Sequence, residues 1–275
     1  MYPRPFDYKR VSTVQEAIDA LKDNPDAKIL SGGHSLLPAM KLRLAAPEML
    51  IDIGAVQELK QLSANGGATI GAGVTYNDFL ANDAMKQYTA LYDAVSSVGD
   101  VQVRNRGTIG GAAAHADPAA DVPAALLVLG ATLVAQGPNG QREIAADDFF
   151  VDILTTALEP DEVLTQIKLP AAAGSSAYEK FAHPASGYAV CGVAARVDGS
   201  DVKVALTGAT YKATRLTGVE DALKGGTIDA AAIEAAVENV GDQDWAGDHF
   251  ASAEYRAHLA KVYAKRALMR AAGLS

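Results

Sequence analysis

Residues 103–123, VRNRGTIGGAAAHADPAADVP, set a glycine pair, whose main-chain amides could hold a polyanionic ligand, ahead of a histidine and two aspartates. Gly110 and Gly111 carry no Cβ, so a sharp turn with positive φ is expected there, open enough for a large ligand to touch main-chain amides. Successive amides in such a turn form a concavity suited to a phosphate or diphosphate. A lone glycine pair reads more readily as a tight turn with no ligand.

A second segment of the same build changes that reading. Residues 28–35, KILSGGHS, again run from an apolar strand into a glycine pair and then polar side chains. Two such turns could cradle one diphosphate from both sides. Neither is the parallel-sheet dinucleotide fingerprint G-x-G-x-x-G. Gly71-Ala72-Gly73 lacks the third glycine, and no G-x-x-x-x-G-K-[ST] loop occurs. A nucleotide held here requires a different fold.

SGGHSLLPAMKLRLAAPEMLIDIGAVQELK (residues 31–60) and RNRGTIGGAAAHADPAADVPAALLVL (residues 104–129) together resemble the FAD-binding medium subunit of the molybdenum hydroxylases, the carbon monoxide dehydrogenase and xanthine dehydrogenase family. The likeness runs from the opening YPRPFDY to the closing SAEYRAHLAKVYAKRAL. It implies an α+β protein: a vanillyl-alcohol-oxidase/PCMH-type FAD-binding fold of two α/β subdomains, plus a C-terminal domain of antiparallel sheet and helices. It also implies non-covalent FAD, with the diphosphate on the two glycine motifs. Molybdopterin and [2Fe–2S] clusters would then sit only on partners, a large molybdopterin-binding subunit and a small [2Fe–2S] subunit, assembled as a dimer of heterotrimers.

Carried onto this chain, the resemblance implies cofactor contacts at Ile29, Leu30, Ser31, Gly32, Gly33, His34, Ser35 and Leu36, and at Thr108, Ile109, Gly110 and Gly111. His34 stands in a GGH context that carries flavin covalently in some oxidases of the wider superfamily; the medium subunits hold it without a covalent bond, which is the expectation here. His115 and Asp121 fall where the family contacts the FAD phosphate and ribose regions, and read otherwise as a polar loop and a helix N-cap. Lys180 is placed near the flavin edge, and Leu164 where main chain meets the ring. Tyr188 is placed over one isoalloxazine face, where it would exclude water and O₂, or else is a strand tyrosine half in the core. No catalytic residue and no metal ligand is assigned.

Two departures from the family pattern stand out. Ala112 replaces the asparagine that usually follows the glycine pair, so a side-chain contact is lost or replaced by main chain. His183-Pro184-Ala185-Ser186-Gly187 replaces Arg-Arg-x-Gly-Asp ahead of Tyr188. Arg104 and Arg106 could neutralise diphosphate charge, or simply be solvated.

The 275 residues are 49% hydrophobic and 21% charged, which suits an ordinary globular protein with two or three small cores. A formal net charge of −9 argues against a nucleic-acid partner. The opening MYPRPFDYKR has no apolar run and no stretch approaches a membrane span, so a cytoplasmic protein is expected. Cys191 is the single cysteine and cannot ligate an iron–sulfur cluster alone, and the five histidines are scattered. Any electron carrier on this chain is therefore organic.

The elements that must position these residues divide into three regions. Residues 1–59 read as a β-α-β-β subdomain, with a helix over 11–23 opened by Ser12 or Thr13 and Glu16 and strands at 28–30 and 49–53. Residues 60–170 form a second FAD-binding subdomain, with helices expected at 76–83, at 90–98 leading directly into the glycine turn, and at 145–154, and strands at 131–136 and 162–169. A linker over 170–176 precedes the C-terminal domain, 177–275: strands at 177–181, 189–197 and 202–206, a hairpin turn at Asp198-Gly199, and helices at 218–223, 229–239 and 252–272.

The leading functional expectation is an electron-transfer FAD subunit, fed by a partner's [2Fe–2S] clusters and passing electrons to an external acceptor. A self-sufficient FAD-dependent oxidase of the same fold is the alternative. It would need a substrate pocket and a base in the last 100 or so residues. A scaffold that has lost its cofactor is the third reading, opposed by the two intact glycine pairs.

Overall fold

The computed structural model describes residues 1–274. Strand β1 (Asp7–Arg10), helix α1 (Val14–Asp23), β2 (Lys28–Leu30), α2 (Leu36–Lys41) and β3 (Met49–Asp52) build a parallel sheet in the order β1-β3-β2. Thr13 Oγ1 accepts the Glu16 N–H at 3.1 Å and the Glu16 carboxylate accepts the Ser12 N–H at 2.7 Å, a reciprocal cap that fixes where α1 begins. Ala17, Ile18 and Leu21 then fall on the face buried against Ile51 and Ile53.

The second sheet is antiparallel. It contains β4 (Leu62–Ala64) and β5 (Gly67–Gly71) and, after five helices, β6 (Thr132–Gly137), β7 (Gly140–Ala145) and β10 (Val163–Pro170), in the order β4-β5-β10-β6-β7. The helices are α3 (Tyr76–Ala81), α4 (Thr89–Ser96), α5 (Val101–Arg104), α6 (Ile109–His115) and α7 (Val122–Val128). Between β7 and β10 lie α8 (Ala146–Phe149), β8 (Phe150–Asp152) and β9 (Thr155–Thr156). The helix expected over 145–154 is thus corrected to one turn and a small hairpin. Phe149 and Phe150 turn inward while Val151 and Ile153 face out, and Asp152 caps the Ile153 N–H, so the apolar residues there follow a strand and turn. The expected direct entry from the helix near residues 90–98 into the glycine segment is also corrected, because α5 intervenes.

The third sheet, β11 (Ser175–Ala182), β12 (Ala189–Asp198), β13 (Asp201–Thr207) and β14 (Thr214–Arg215), is antiparallel in chain order. Asp198 pairs with Asp201 around Gly199 at φ +58°, as the Asp-Gly signal implied. Helices α9 (Thr217–Leu223), α10 (Ala230–Ala236) and α11 (Ala253–Ala271) follow. The sheet is covered on both faces. Val193, Ala195, Val204 and Leu206 share a core with Leu259, Tyr263 and Leu268 of α11, while Tyr178, Ala194 and Ala205 join the core built around α4 and α7. Burial on both sides explains why β12 reads as an unbroken apolar run.

Candidate functional site

The two glycine segments touch. Ser31 Oγ and Thr108 Oγ1 lie 3.1 Å apart in a shared hydrogen bond. A Cβ on Gly32 would collide with the Arg106 carbonyl oxygen and lie 2.8 Å from Gly107 Cα, so the first segment meets the second backbone to backbone. Gly33 adopts φ +75°, the left-handed turn that glycine permits.

Gly110 and Gly111 correct the expectation of a positive-φ turn. They sit in the first turn of α6, which Thr108 caps by accepting the Gly111 N–H at 2.9 Å. Gly110 is required for a different reason: a Cβ there would strike Ala72, lying 2.5 Å from its carbonyl oxygen. Ala72 is in turn fixed by a bulge in β10 between Leu164 and Gln166, where the Thr165 carbonyl accepts the Ala72 N–H at 2.9 Å. An antiparallel bridge between Thr75 and Thr108 completes the seating, with Ile109 N–H donating to Val74 and Tyr76 N–H to Gly107.

Among the described residues, the main-chain N–H groups of Gly32, Gly33, His34, Ser35 and Leu36 find no protein acceptor, nor do those of Thr108 and Gly110. Backbone donors left unpaired on two abutting segments form a place for a polyanion. Here the residues fit the diphosphate of a dinucleotide cofactor.

Side chains carried by loops, by the start of α7 and by β11 complete the region around this cradle. Tyr188, 46% exposed, is carried by a loop closed by the Tyr188 carbonyl accepting the His183 N–H at 2.8 Å, with Gly187 at φ +72°. Burial raises the pKa of its phenol above the ordinary value, Asp117 and then Asp121 add to the rise, and Ser35 opposes it. The loop carrying Asp117 is docked on the third sheet, where Gly208 N–H donates to Pro118 at 2.7 Å and Ala189 N–H to Ala119 at 3.3 Å.

Asp121 lies at the N-cap position of α7 but makes no capping bond. Its carboxylate, on a residue only 5% exposed, accepts Tyr178 Oη at 2.5 Å and Lys180 Nζ at 2.9 Å. Lys180 also donates to the Ser97 carbonyl at 3.2 Å. Burial pushes the Asp121 carboxyl above the usual range, against the pull of Lys180 and then Tyr178. Gly192 makes room for the Tyr178 hydroxyl, which any Cβ at that position would displace.

The remaining expected residues are spread around this centre. His34 is exposed, its Nδ1–H donating to the Gly32 carbonyl at 2.8 Å. His115 is half-buried in the last turn of α6, which ends on Ala116 at φ +48°. Ile29, Leu30 and Leu36 are half-buried along the first segment, whereas Ile109 and Leu164 are fully enclosed. Arg104 Nη1 donates to the Val98 carbonyl at 2.9 Å, and Arg106 is exposed. Two site residues were not singled out from the sequence, Asp117 and Tyr76. The signal for Tyr76 was its place directly after the GAGVT turn, at the start of a predicted helix.

An α+β scaffold that joins two glycine segments into a cradle of free amides, with phenols beside it, defines a protein of the nucleotide-cofactor-binding class. Residues 4–172 match the family described as FAD binding domain in molybdopterin dehydrogenase, and residues 176–271 match the CO dehydrogenase flavoprotein C-terminal domain. The chain belongs to this family of FAD-binding medium subunits of molybdenum hydroxylases.

It is 38% identical to the carbon monoxide dehydrogenase medium chain of Hydrogenophaga pseudoflava, covering 98% of this chain and 97% of that one. It is 36% identical to the glyceraldehyde dehydrogenase medium chain of Sulfolobus acidocaldarius, over 99% of this chain and all (100%) of the other. The solved structure of carbon monoxide dehydrogenase from Hydrogenophaga pseudoflava superposes with a TM-score of 0.94 at 38% identity, covering 100% of this chain and 99% of that one. The protein is an oxidoreductase subunit whose cofactor is FAD. No helix among the described residues is long and apolar enough to cross a membrane.

Proposed function

We propose that the chain is the electron-transferring FAD subunit of a heteromeric molybdenum hydroxylase. Electrons leave a large molybdopterin-binding subunit, cross the [2Fe–2S] clusters of a small subunit, and pass through this chain to an external acceptor, in a cytoplasmic dimer of heterotrimers. The observation that carries this reading is the run of unpaired amides on two abutting glycine segments. The single cysteine supports it, since cluster ligands must then come from a partner. The relatives named medium chains support a large and a small partner in the same way.

In this reading the regions 1–59 and 60–170 are the two FAD-binding subdomains and 177–275 is the domain that closes over them. The N–H groups of Gly32 to Leu36, Thr108 and Gly110 hold the diphosphate without a side-chain cation. The half-buried Ile29, Leu30 and Leu36 and the enclosed Ile109 form the apolar bed behind it, with Leu164 main chain, His115 and Asp121 bordering the same site. Bound there, FAD supplies a centre that accepts electrons and hands them on in pairs. Tyr188 shields one side from water, and the Asp121–Lys180 pair keeps the loops that bear it in register.

The test is anaerobic mixing of the FAD-loaded chain with carbon monoxide, an aldehyde or an N-heterocycle, with and without an iron–sulfur partner, watching the flavin absorbance. Bleaching is expected only with partners present. Bleaching by the isolated chain would instead establish a self-sufficient oxidase.

A further inference from the structure

Tyr76 is the polar side chain of this region that the cradle does not explain. Its ring is clamped against the second glycine segment, so closely that a Cβ on Gly107 would come within 2.6 Å of Tyr76 Cε2. Its own N–H donates to the Gly107 carbonyl at 3.0 Å, so main chain and ring are both fixed. The residue is 7% exposed, yet among the described residues its hydroxyl has no hydrogen-bond partner. Nor is that oxygen among the side-chain atoms sealed from solvent without a partner, which are Arg196 Nε and Arg256 Nε. What accessibility the residue keeps therefore includes its oxygen, on a ring packed against Gly107 of the second glycine segment.

A buried phenol normally finds a partner, because leaving the hydroxyl unmade costs more than the bond itself contributes. Here the Asp121 carboxylate accepts from Tyr178 and Lys180, and no bond from Tyr76 reaches it. The segment that holds the ring in place is the one that offers free amides from Thr108 and Gly110.

We propose that the hydroxyl of Tyr76 is a further cofactor contact, donating a hydrogen bond to an acceptor atom of the bound flavin nucleotide. The inference rests on the FAD reading of the cradle. Tyr76 is a binding residue in it, positioned by Gly107, and it takes no proton from substrate.

The experiment is fluorescence titration of the full-length apo-chain with FAD, for wild type and Tyr76→Phe, with melting of both apo-proteins. Removing one neutral hydrogen bond is expected to weaken FAD binding roughly three- to tenfold. The apo-protein should melt unchanged, since no protein bond is lost. Incorporation of 3-fluorotyrosine at position 76, which keeps the shape and makes the phenol a stronger donor, should move the Kd the opposite way, and serves if Tyr76→Phe does not fold. Wild-type Kd in either variant overturns the inference and leaves the hydroxyl to solvent. Failure of the wild-type chain to bind FAD would instead overturn the cradle itself.

Discussion

Ser31 and Thr108 stand 77 residues apart in sequence and 3.1 Å apart through their hydroxyls. Thr108 is the hinge of this arrangement, because the same oxygen accepts the Gly111 N–H and opens helix α6. One small side chain thus joins the parallel sheet to the antiparallel one and leaves the amides on either side free. A hydroxyl can do this where a larger polar group would fill the cradle, so the two glycine motifs make one site by contact between their flanking residues.

Substitutions at the glycines should separate two kinds of requirement. Gly32→Ala drives a methyl into the Arg106 carbonyl and pushes the segments apart, whereas Gly110→Ala strikes the backbone of Ala72, inside the core of the second sheet. Gly32→Ala is expected to lose FAD while retaining most of its melting temperature. Gly110→Ala is expected to be destabilised by at least 1–3 kcal/mol, the usual cost of overpacking. FAD stoichiometry and thermal melts of both variants check this. Full flavin occupancy in Gly32→Ala would show that the segments need not touch.

His34 should not carry the flavin. Its Nδ1–H is engaged by the Gly32 carbonyl and the ring is exposed beside the unpaired amides. Acid precipitation of the holo-protein is expected to release all yellow colour to the supernatant, and His34→Ala is expected to keep FAD with affinity reduced by about tenfold at most, the scale of one hydrogen bond. Colour in the pellet that vanishes in His34→Ala would identify a covalent link.

Much of this was legible in the sequence because it rests on local rules. The Thr13 and Glu16 cap, the Asp198-Gly199 turn and the apolar β12 each follow from residues within a few positions of one another. The glycine pairs were legible as a site, but the reason for Gly110 was not. Its constraint is Ala72, brought against it by a bulge in a strand that begins more than 50 residues later. Residues 145–154 misled for a related reason: the acidic pair Asp147-Asp148 and the apolar run after it suit a helix start, while pairing of β8 with β9 decides otherwise. Asp121 is expected at the cofactor, or otherwise as a helix cap, and nothing nearby in sequence announces its partners Tyr178 and Lys180, which lie 57 and 59 positions on.

That buried triad gives the last prediction. Lys180→Met removes the cation paired with Asp121 and leaves, among the described residues, a carboxylate with Tyr178 as its partner, in a site where burial already holds its pKa above the ordinary value. Breaking one side of a buried pair costs about 3–5 kcal/mol. The sign of the pH effect follows from the raised folded value. Protonated Asp121 suits the folded state, so its contribution is fully present below the unfolded carboxyl pKa of about 3.9 and is lost as pH rises through the folded one. The melting deficit of Lys180→Met relative to wild type should therefore be large near pH 7.5 and shrink toward about pH 4.5. Asp121→Asn added to Lys180→Met should recover part of the deficit at neutral pH, because the amide can still accept from Tyr178 and carries no charge to bury. Calorimetric melts of the three proteins across that range decide it, and an equal deficit at every pH would mean that the pair acts through packing, with the charge on Asp121 contributing nothing.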